Sequence, residues 1–406
     1  MSGVTKHIYD HEIHDIVTMW NEQLKTIACV LPQEYEDSDI ISMLKTYYPH
    51  EWTSVEMKYT YYTIKDKHLL KRKGRARYNM KEPHKLLLKC YMYRCLISSI
   101  HKERHKQNFS PENLLSEQKK LWDKRKSKIE KINQKIARAK AKTQLVTPTF
   151  LDQLIGLYER KNTSQKDRCY IIRELKKYYT DAIIQFFIKL NDTELNFQLR
   201  VEAHHHLQEF NYHPRLRAQK YMQVHTKNKK RKAVLKKDYA YETYHVPENP
   251  DELEYRLNNA KEQRIKTYDY FVSHSYMDKD VVQRVISHEN TLGNNVYCDW
   301  ISDDDYLKRN LLCEATLNVV KKRIEQSSAI LFVESDHSLD SIWCKFELNY
   351  ALSLGKDIFV INKDEIENKN FQIRLMNEYW FEDADYQRLA LLGGEKVGVQ
   401  GRTAEG

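Results

Sequence analysis

An indole and a carboxylate four residues apart, Trp343 and Glu347, stand in the run Ser341-Ile342-Trp343-Cys344-Lys345-Phe346-Glu347-Leu348. In a helix that spacing puts both side chains on one face. A carboxylate so placed can hold hydroxyl groups and stabilise positive charge as it develops nearby. An indole can wall off a pocket and stack on a flat ring. Three apolar runs also end in polar groups. Tyr268–Val272 stops in Ser273-His274-Ser275, Asn295–Cys298 in Asp299-Trp300, and Ala329–Val333 in Glu334-Ser335-Asp336. Such runs read as buried strands. Parallel strands present these groups at their C-terminal edge, where open α/β sheets form ligand crevices. Each residue also has a plainer reading. Glu347, between Phe346 and Leu348, has the setting of a half-exposed helix residue paired with a lysine, and Trp343 that of a core side chain. Ser273 reads equally as a cap on the helix begun by Asp278 and Lys279, and Asp299 as a strand end. His274 has no visible acid–base partner.

These residues resemble the Toll/interleukin-1 receptor (TIR) domain, in the bacterial form that cleaves NAD+. Tyr268 to Ser275 with Asp278 matches the first box of that family. Val296-Tyr297-Cys298-Asp299-Trp300, followed by Ser302-Asp303-Asp304-Asp305, matches its second strand and the loop after it. Ser341, Trp343 and Glu347 match the Trp-x-x-x-Glu pattern that carries the catalytic glutamate. The second loop lacks the proline of many receptor TIR domains, which weakens any transfer of receptor-type contacts. The resemblance covers residues 266–392 and implies a flavodoxin-like, five-stranded parallel sheet. It implies loss of nicotinamide from NAD+, to a linear or cyclic product, with NAD+ as substrate, no cofactor and no metal. Glu347 then supports the ribose as it gains oxocarbenium character, and Trp343 walls the pocket. Phe271, Ser273 and His274 line the floor, and Asp299 and Trp300 the opposite wall. The resemblance further implies a homo-oligomer formed through TIR domains and an effector role, as in antiphage defence. A non-catalytic TIR scaffold and a nucleic-acid sensor with a TIR appendage are the alternatives.

A chain of 406 residues has room for two or three domains. Charged residues at 31% with only 10 glycines and 8 prolines suit a helix-rich protein. The seven cysteines (29, 90, 95, 169, 298, 313, 344) form no metal-ligand spacing, and their odd, scattered number argues for reduced thiols in a cytoplasmic protein. No run approaches the length of a membrane span, so no membrane partner is expected. The net charge of +10 is unevenly spread: residues 266–392 hold 14 Lys and Arg against 22 Asp and Glu, leaving the preceding part strongly basic.

The elements that must position the site follow from the rest of the chain. Residues 1–110 read as a helical N-terminal domain. Ile13, Ile16, Val17, Met19, Trp20, Leu24 and Ile27 form one apolar stripe, residues 51–64 suit strand or helix, and His84–His101 reads as one apolar helix. Residues 111–147 read as a basic helical connector. Residues 148–237 read as helical hairpins loosely like HEAT repeats, and the helical region before Tyr268 as a whole is expected to sense an unknown activating partner. Between Asn211 and Lys237 lie ten Lys and Arg and no acidic residue, which reads as a solvated linker or a phosphate-binding patch. His204-His205-His206 on a helix point apart, which argues against a metal there. Residues 238–265 read as linker and helix, and 393–406 as a disordered tail. The aspartates Asp303–Asp305 repel one another, which predicts a loop that stays open and mobile until a basic surface neutralises it, with the oppositely charged helical region before Tyr268 as the expected source of that surface.

Overall fold

The computed structural model describes residues 4–224, 226–307 and 313–376. The tail expected at 393–406 and the end of the 266–392 segment lie outside the described residues. The chain forms two compact units, one of Met1–Arg138 with Leu207–Tyr221, the other of Ala139–His206 with the residues from Met222 onward.

The first unit is helical. Asp37–Tyr47 and Pro49–Lys73 are separate helices, because Pro49 has no N–H to give and starts the second one at its first turn. The segment 51–64 is thereby helix. Gly74, at φ +68, ends it in the left-handed conformation. Trp20 is fully buried and stacks on Trp52 with centroids 5.6 Å apart. The single helix expected over His84–His101 is three short ones, Pro83–Leu87, Tyr91–Leu96 and Ser99–Gln107. Cys90 and Ser98 take extended backbone between them, and the Ser98 hydroxyl caps the third by accepting from His101 N. The basic segment after Gln107 is a 31-residue helix, Pro111–Ala141.

The second unit joins helical hairpins to a sheet. Its helices are Phe150–Glu159, Gln165–Leu175, Asp181–Thr193 and Phe197–Glu209. Glu194 accepts from the hydroxyls of Tyr158 (2.6 Å) and Tyr239 (3.0 Å), while Asn196 Nδ2 donates to the carbonyls of Tyr239 and Glu242 (2.7 Å each). These bonds fasten the chain back onto the hairpins after the basic tract, whose residues Lys229–Val234 form a short helix without a buried side chain.

The sheet has order β2-β1-β3-β4-β5, with β1 Tyr268–Ser273, β2 Val296–Tyr297, β3 Ser327–Glu334, β4 Ile358–Asn362 and β5 Arg374–Leu375. The first four are parallel, and β5 runs antiparallel to β4. This corrects the expectation of five parallel strands. Only Lys363–Glu367 and a turn containing Lys369 at φ +59 precede β5, too little chain for a crossover. Strand alternation sends Phe271, Ile330 and Phe332 to one face, against the helices Glu314–Glu325 and Ile342–Ser353. Val272, Leu331 and Val333 go to the other, against Lys279–Leu292. Gly293, at φ +91, turns the chain from that helix toward β2.

The hairpins and the sheet share buried polar contacts. The Gln144 amide accepts from Val296 N (3.2 Å) and donates to Val296 O, so a side chain pairs with the outer edge of β2. Beside it, Asp303 is fully buried and bound bidentately by Arg323 (2.8 and 2.9 Å), with the Tyr297 hydroxyl donating at 3.0 Å. Lys177 lies 3.7 Å from Asp303 and 3.0 Å from Glu174, which also pairs with the buried Lys266 at 2.7 Å. Burial alone would raise the Glu174 pKa, but Lys177 and Lys266 outweigh it and hold it at about 2. Burial opposes ionisation of Asp303 too, yet Arg323, Lys266 and Lys177 keep it far below the carboxylate range. The acidic loop is therefore neutralised rather than left open, by Arg323 and by Lys177 and Arg173 of the helical region before Tyr268. Asp303 is locked inside by cations far along the chain, Asp305 lies 3.7 Å from Arg173, and only Asp304 faces solvent fully.

Candidate active site

The C-terminal ends of β1 and β2 and the start of the Ile342–Ser353 helix enclose a pocket of about 300 Å3. Phe271, His274, Asp299, Ser341, Trp343 and Glu347 are among its walls. Ser341 caps the helix by accepting from Cys344 N, and Cys344, Phe346, Leu348 and Ala351 anchor it in the core. That anchorage leaves the Trp343–Glu347 face toward the strand ends. Trp343 sits edge-on to Phe346, 6.4 Å between centroids.

Glu347 lines the pocket and is only partly exposed. Ser273, fully buried at the end of β1, donates to its Oε2 at 2.6 Å. Burial pushes the Glu347 pKa up to about 8, the Ser273 hydrogen bond pulls it down, and the charge of Asp299 raises it again. Ser273 thus lies beneath the pocket, orienting the carboxylate, rather than on its floor. Phe271 stacks on Tyr297 at 5.0 Å and forms the floor with it.

His274 has partners that its sequence context concealed. The indole Nε1–H of Trp300 can only donate, so His274 Nε2 accepts it at 3.2 Å. The ring proton therefore sits on Nδ1 and is donated to Val272 O at 3.1 Å. Asp299 lines the pocket 3.8 Å from His274 Nε2. Trp300 is not among the lining residues; half-buried under Lys279, it braces His274.

The structure thus brings Glu347, Trp343, Phe271, His274 and Asp299 to one cavity, with Ser273 and Trp300 behind it. Ser341 and Tyr297 also line it, and so do Thr316 and Val320 of the Glu314–Glu325 helix. The first two lie inside the motifs already singled out. The other two carried no sequence signal, since helical periodicity does not say which apolar residues end at a cavity.

No protein-family profile matches the chain, and no solved structure matches it. Two curated proteins do. One, from Cytobacillus dafuensis and described as "Putative cyclic ADP-D-ribose synthase TIR2", is 36% identical over 370 residues, 91% of this chain and 94% of that protein. The other, from Bacillus cereus (strain MSX-D12) and described as "Probable 3' cyclic ADP-D-ribose synthase ThsB'", is 31% identical over 122 residues, 29% of this chain and 62% of that protein. With likeness of that extent to the first, and with the Trp343–Glu347 pair facing the strand ends of a parallel sheet, the chain belongs to the bacterial TIR-domain proteins of the NAD-cleaving type.

Proposed function

We propose that the protein cleaves the nicotinamide–ribose bond of NAD+ and closes the remaining ADP-ribose into a ring. The observation that carries this reading is the Glu347 carboxylate, held by Ser273 at 2.6 Å in a pocket walled by Trp343. Nicotinamide leaves readily because its ring nitrogen is cationic and takes the bonding electron pair with it. What the chemistry requires of the protein is a carboxylate at the ribose, where C1′ becomes electron-poor. Glu347 supplies it by holding the ribose hydroxyls, and the Trp343 indole gives a flat surface for a base. Capture of C1′ by a nucleophilic atom of the same molecule, with loss of a proton, gives the cyclic product; capture by water gives ADP-ribose. A pocket of about 300 Å3 holds part of a dinucleotide and leaves the remainder at its mouth. The relatives' descriptions as cyclic ADP-D-ribose synthases support the cyclic outcome.

The setting we assign is an effector of antiphage defence, active as a homo-oligomer and triggered through its helical regions. An enzyme that consumes NAD+ without restraint would kill its own cell. Among the described residues no helix is long and apolar enough to cross a membrane. Incubation of the purified protein with NAD+, with products resolved by chromatography and mass, tests the reaction. Release of nicotinamide with a cyclic ADP-ribose is expected, and intact NAD+ under all conditions of concentration and assembly would reject the proposal.

A further inference from the structure

Beside the catalytic carboxylate, the ends of β1 and β2 bring three different donor atoms together: the imidazole Nε2 of His274, the thiol of Cys298 and the carboxylate of Asp299. Nε2 and Oδ1 are 3.8 Å apart, Sγ and Oδ1 3.9 Å, and all three ligand atoms lie within 4.8 Å of one another. The edge of a tetrahedron around zinc, with metal–ligand bonds of about 2.0–2.3 Å, is about 3.5 Å. Two of the spacings are within a few tenths of an ångström of that edge, so small side-chain rotations suffice. The imidazole is also prepared as a ligand. Its Nδ1–H donates to Val272 O at 3.1 Å, which leaves Nε2 as the lone-pair nitrogen and fixes the ring plane, the arrangement that orients metal-bound histidines. Among the described residues the indole N–H of Trp300 meets Nε2, and an ion has to displace that half-buried side chain. Cys298 is buried and Asp299 is open to the pocket, so an ion would enter from the pocket side and keep its fourth position there.

We propose that His274, Cys298 and Asp299 form a binding site for a thiophilic divalent cation of the zinc class, and that an ion bound there closes the pocket. Nitrogen, sulfur and oxygen donors together select zinc, cobalt(II) or cadmium over magnesium and calcium, which take oxygen alone. Binding releases the Cys298 thiol proton to solvent and displaces the Trp300 indole from Nε2. The ion then stands between His274 and Asp299 on the wall facing Glu347, where the nicotinamide ribose has to pass. Closure of the pocket rests on the NAD+-cleaving reading; the site itself does not.

The test is titration of the full-length protein, kept reduced with a non-thiol reductant, with cobalt(II). About one equivalent is expected to give a near-ultraviolet thiolate-to-cobalt band and the visible bands of a four-coordinate ion, both erased by zinc. Cys298→Ser is expected to lose the thiolate band, and His274→Gln to weaken binding roughly tenfold or more. Should Cys298→Ser fail to fold by circular dichroism, His274→Gln and Asp299→Asn decide the matter through zinc affinity in equilibrium dialysis. A thiolate band that survives in Cys298→Ser, or zinc affinity unchanged in both other variants, overturns the site. Zinc is expected to suppress NAD+ cleavage at least tenfold; full turnover with the site occupied overturns the closure. A Cys298-dependent cobalt spectrum in protein that never cleaves NAD+ supports the site and sinks only the enzymatic reading.

Discussion

The hydroxyl of Ser273 donates to Oε2 of Glu347 across 2.6 Å, from the end of β1 to the helix that follows β3. The bond ties the sheet to the carboxylate proposed as catalytic, sets its direction and offsets part of the pKa rise that burial imposes.

Activity should rise with pH. With the Glu347 pKa pushed up to about 8 by burial, the unliganded enzyme is mostly protonated at neutral pH. The reaction needs the carboxylate, so kcat/KM is expected to climb to a plateau above roughly pH 8. Removal of the Ser273 donor in Ser273→Ala destabilises the anion and moves the profile to higher pH; removal of a neighbouring negative charge in Asp299→Asn moves it lower. A pH–rate series on the three proteins checks the order, and a common midpoint would remove Glu347 as the titrating group.

Glu347→Gln is expected to abolish turnover while gaining stability at alkaline pH. Because the folded pKa lies above the unfolded value, the native state holds a proton that the unfolded state has lost. Stability from this group is complete below about pH 4.5 and declines as pH rises through 8. The glutamine variant escapes that loss, an advantage on the order of a few kcal/mol at pH 9. Thermal melting of both proteins at pH 6 and pH 9 measures it. Trp343→Ala should act mainly on KM, raising it roughly tenfold as its stacking surface is lost.

Asp303→Asn and Arg323→Met should each destabilise the second unit by about 3–5 kcal/mol, since either leaves a buried charge without its partner. Denaturant titration reads the loss. The Asp303 and Glu174 carboxylates are depressed in the folded state, so the stability they contribute is present above about pH 4.5 and disappears as pH falls toward 2. A parent protein equally stable at pH 7 and pH 3 would count against this assignment.

Residues 266–406 expressed alone should fail to fold cooperatively, because Lys266 would lose Glu174, Asp303 would lose Lys177 and Arg323 would lose Gln263. Residues 139–406 retain those partners and should fold. Full-length protein is expected to show a specific rate that rises with concentration, with assembly followed by light scattering. A monomer of constant specific rate would exclude activation by assembly.

The strand ends at the candidate site and the helix carrying Trp343 and Glu347 were legible because their apolar periods are local and their polar termini abrupt. Ser273 and Trp300 were legible as residues of the site but not in their places. Whether a side chain lines a cavity or braces the one that does depends on rotamers set by neighbours distant in sequence. Asp303 illustrates the limit most sharply. Three adjacent aspartates imply repulsion when read locally, yet Arg323 lies 20 residues away and Lys177 far earlier in the chain. The break of the His84–His101 segment at Ser98 had a local signal in its capping serine, overridden in reading by the leucine run before it.

The side-chain amide of Gln144, paired with Val296, bears on how copies of this protein can meet. An uncovered outer strand invites another chain to add itself by backbone pairing, the route to sheet-continued fibres. Here the β2 border is already taken by a residue of the same chain. Backbone pairing at that border is therefore closed to a second copy, and any contact made there between copies is left to side-chain surfaces.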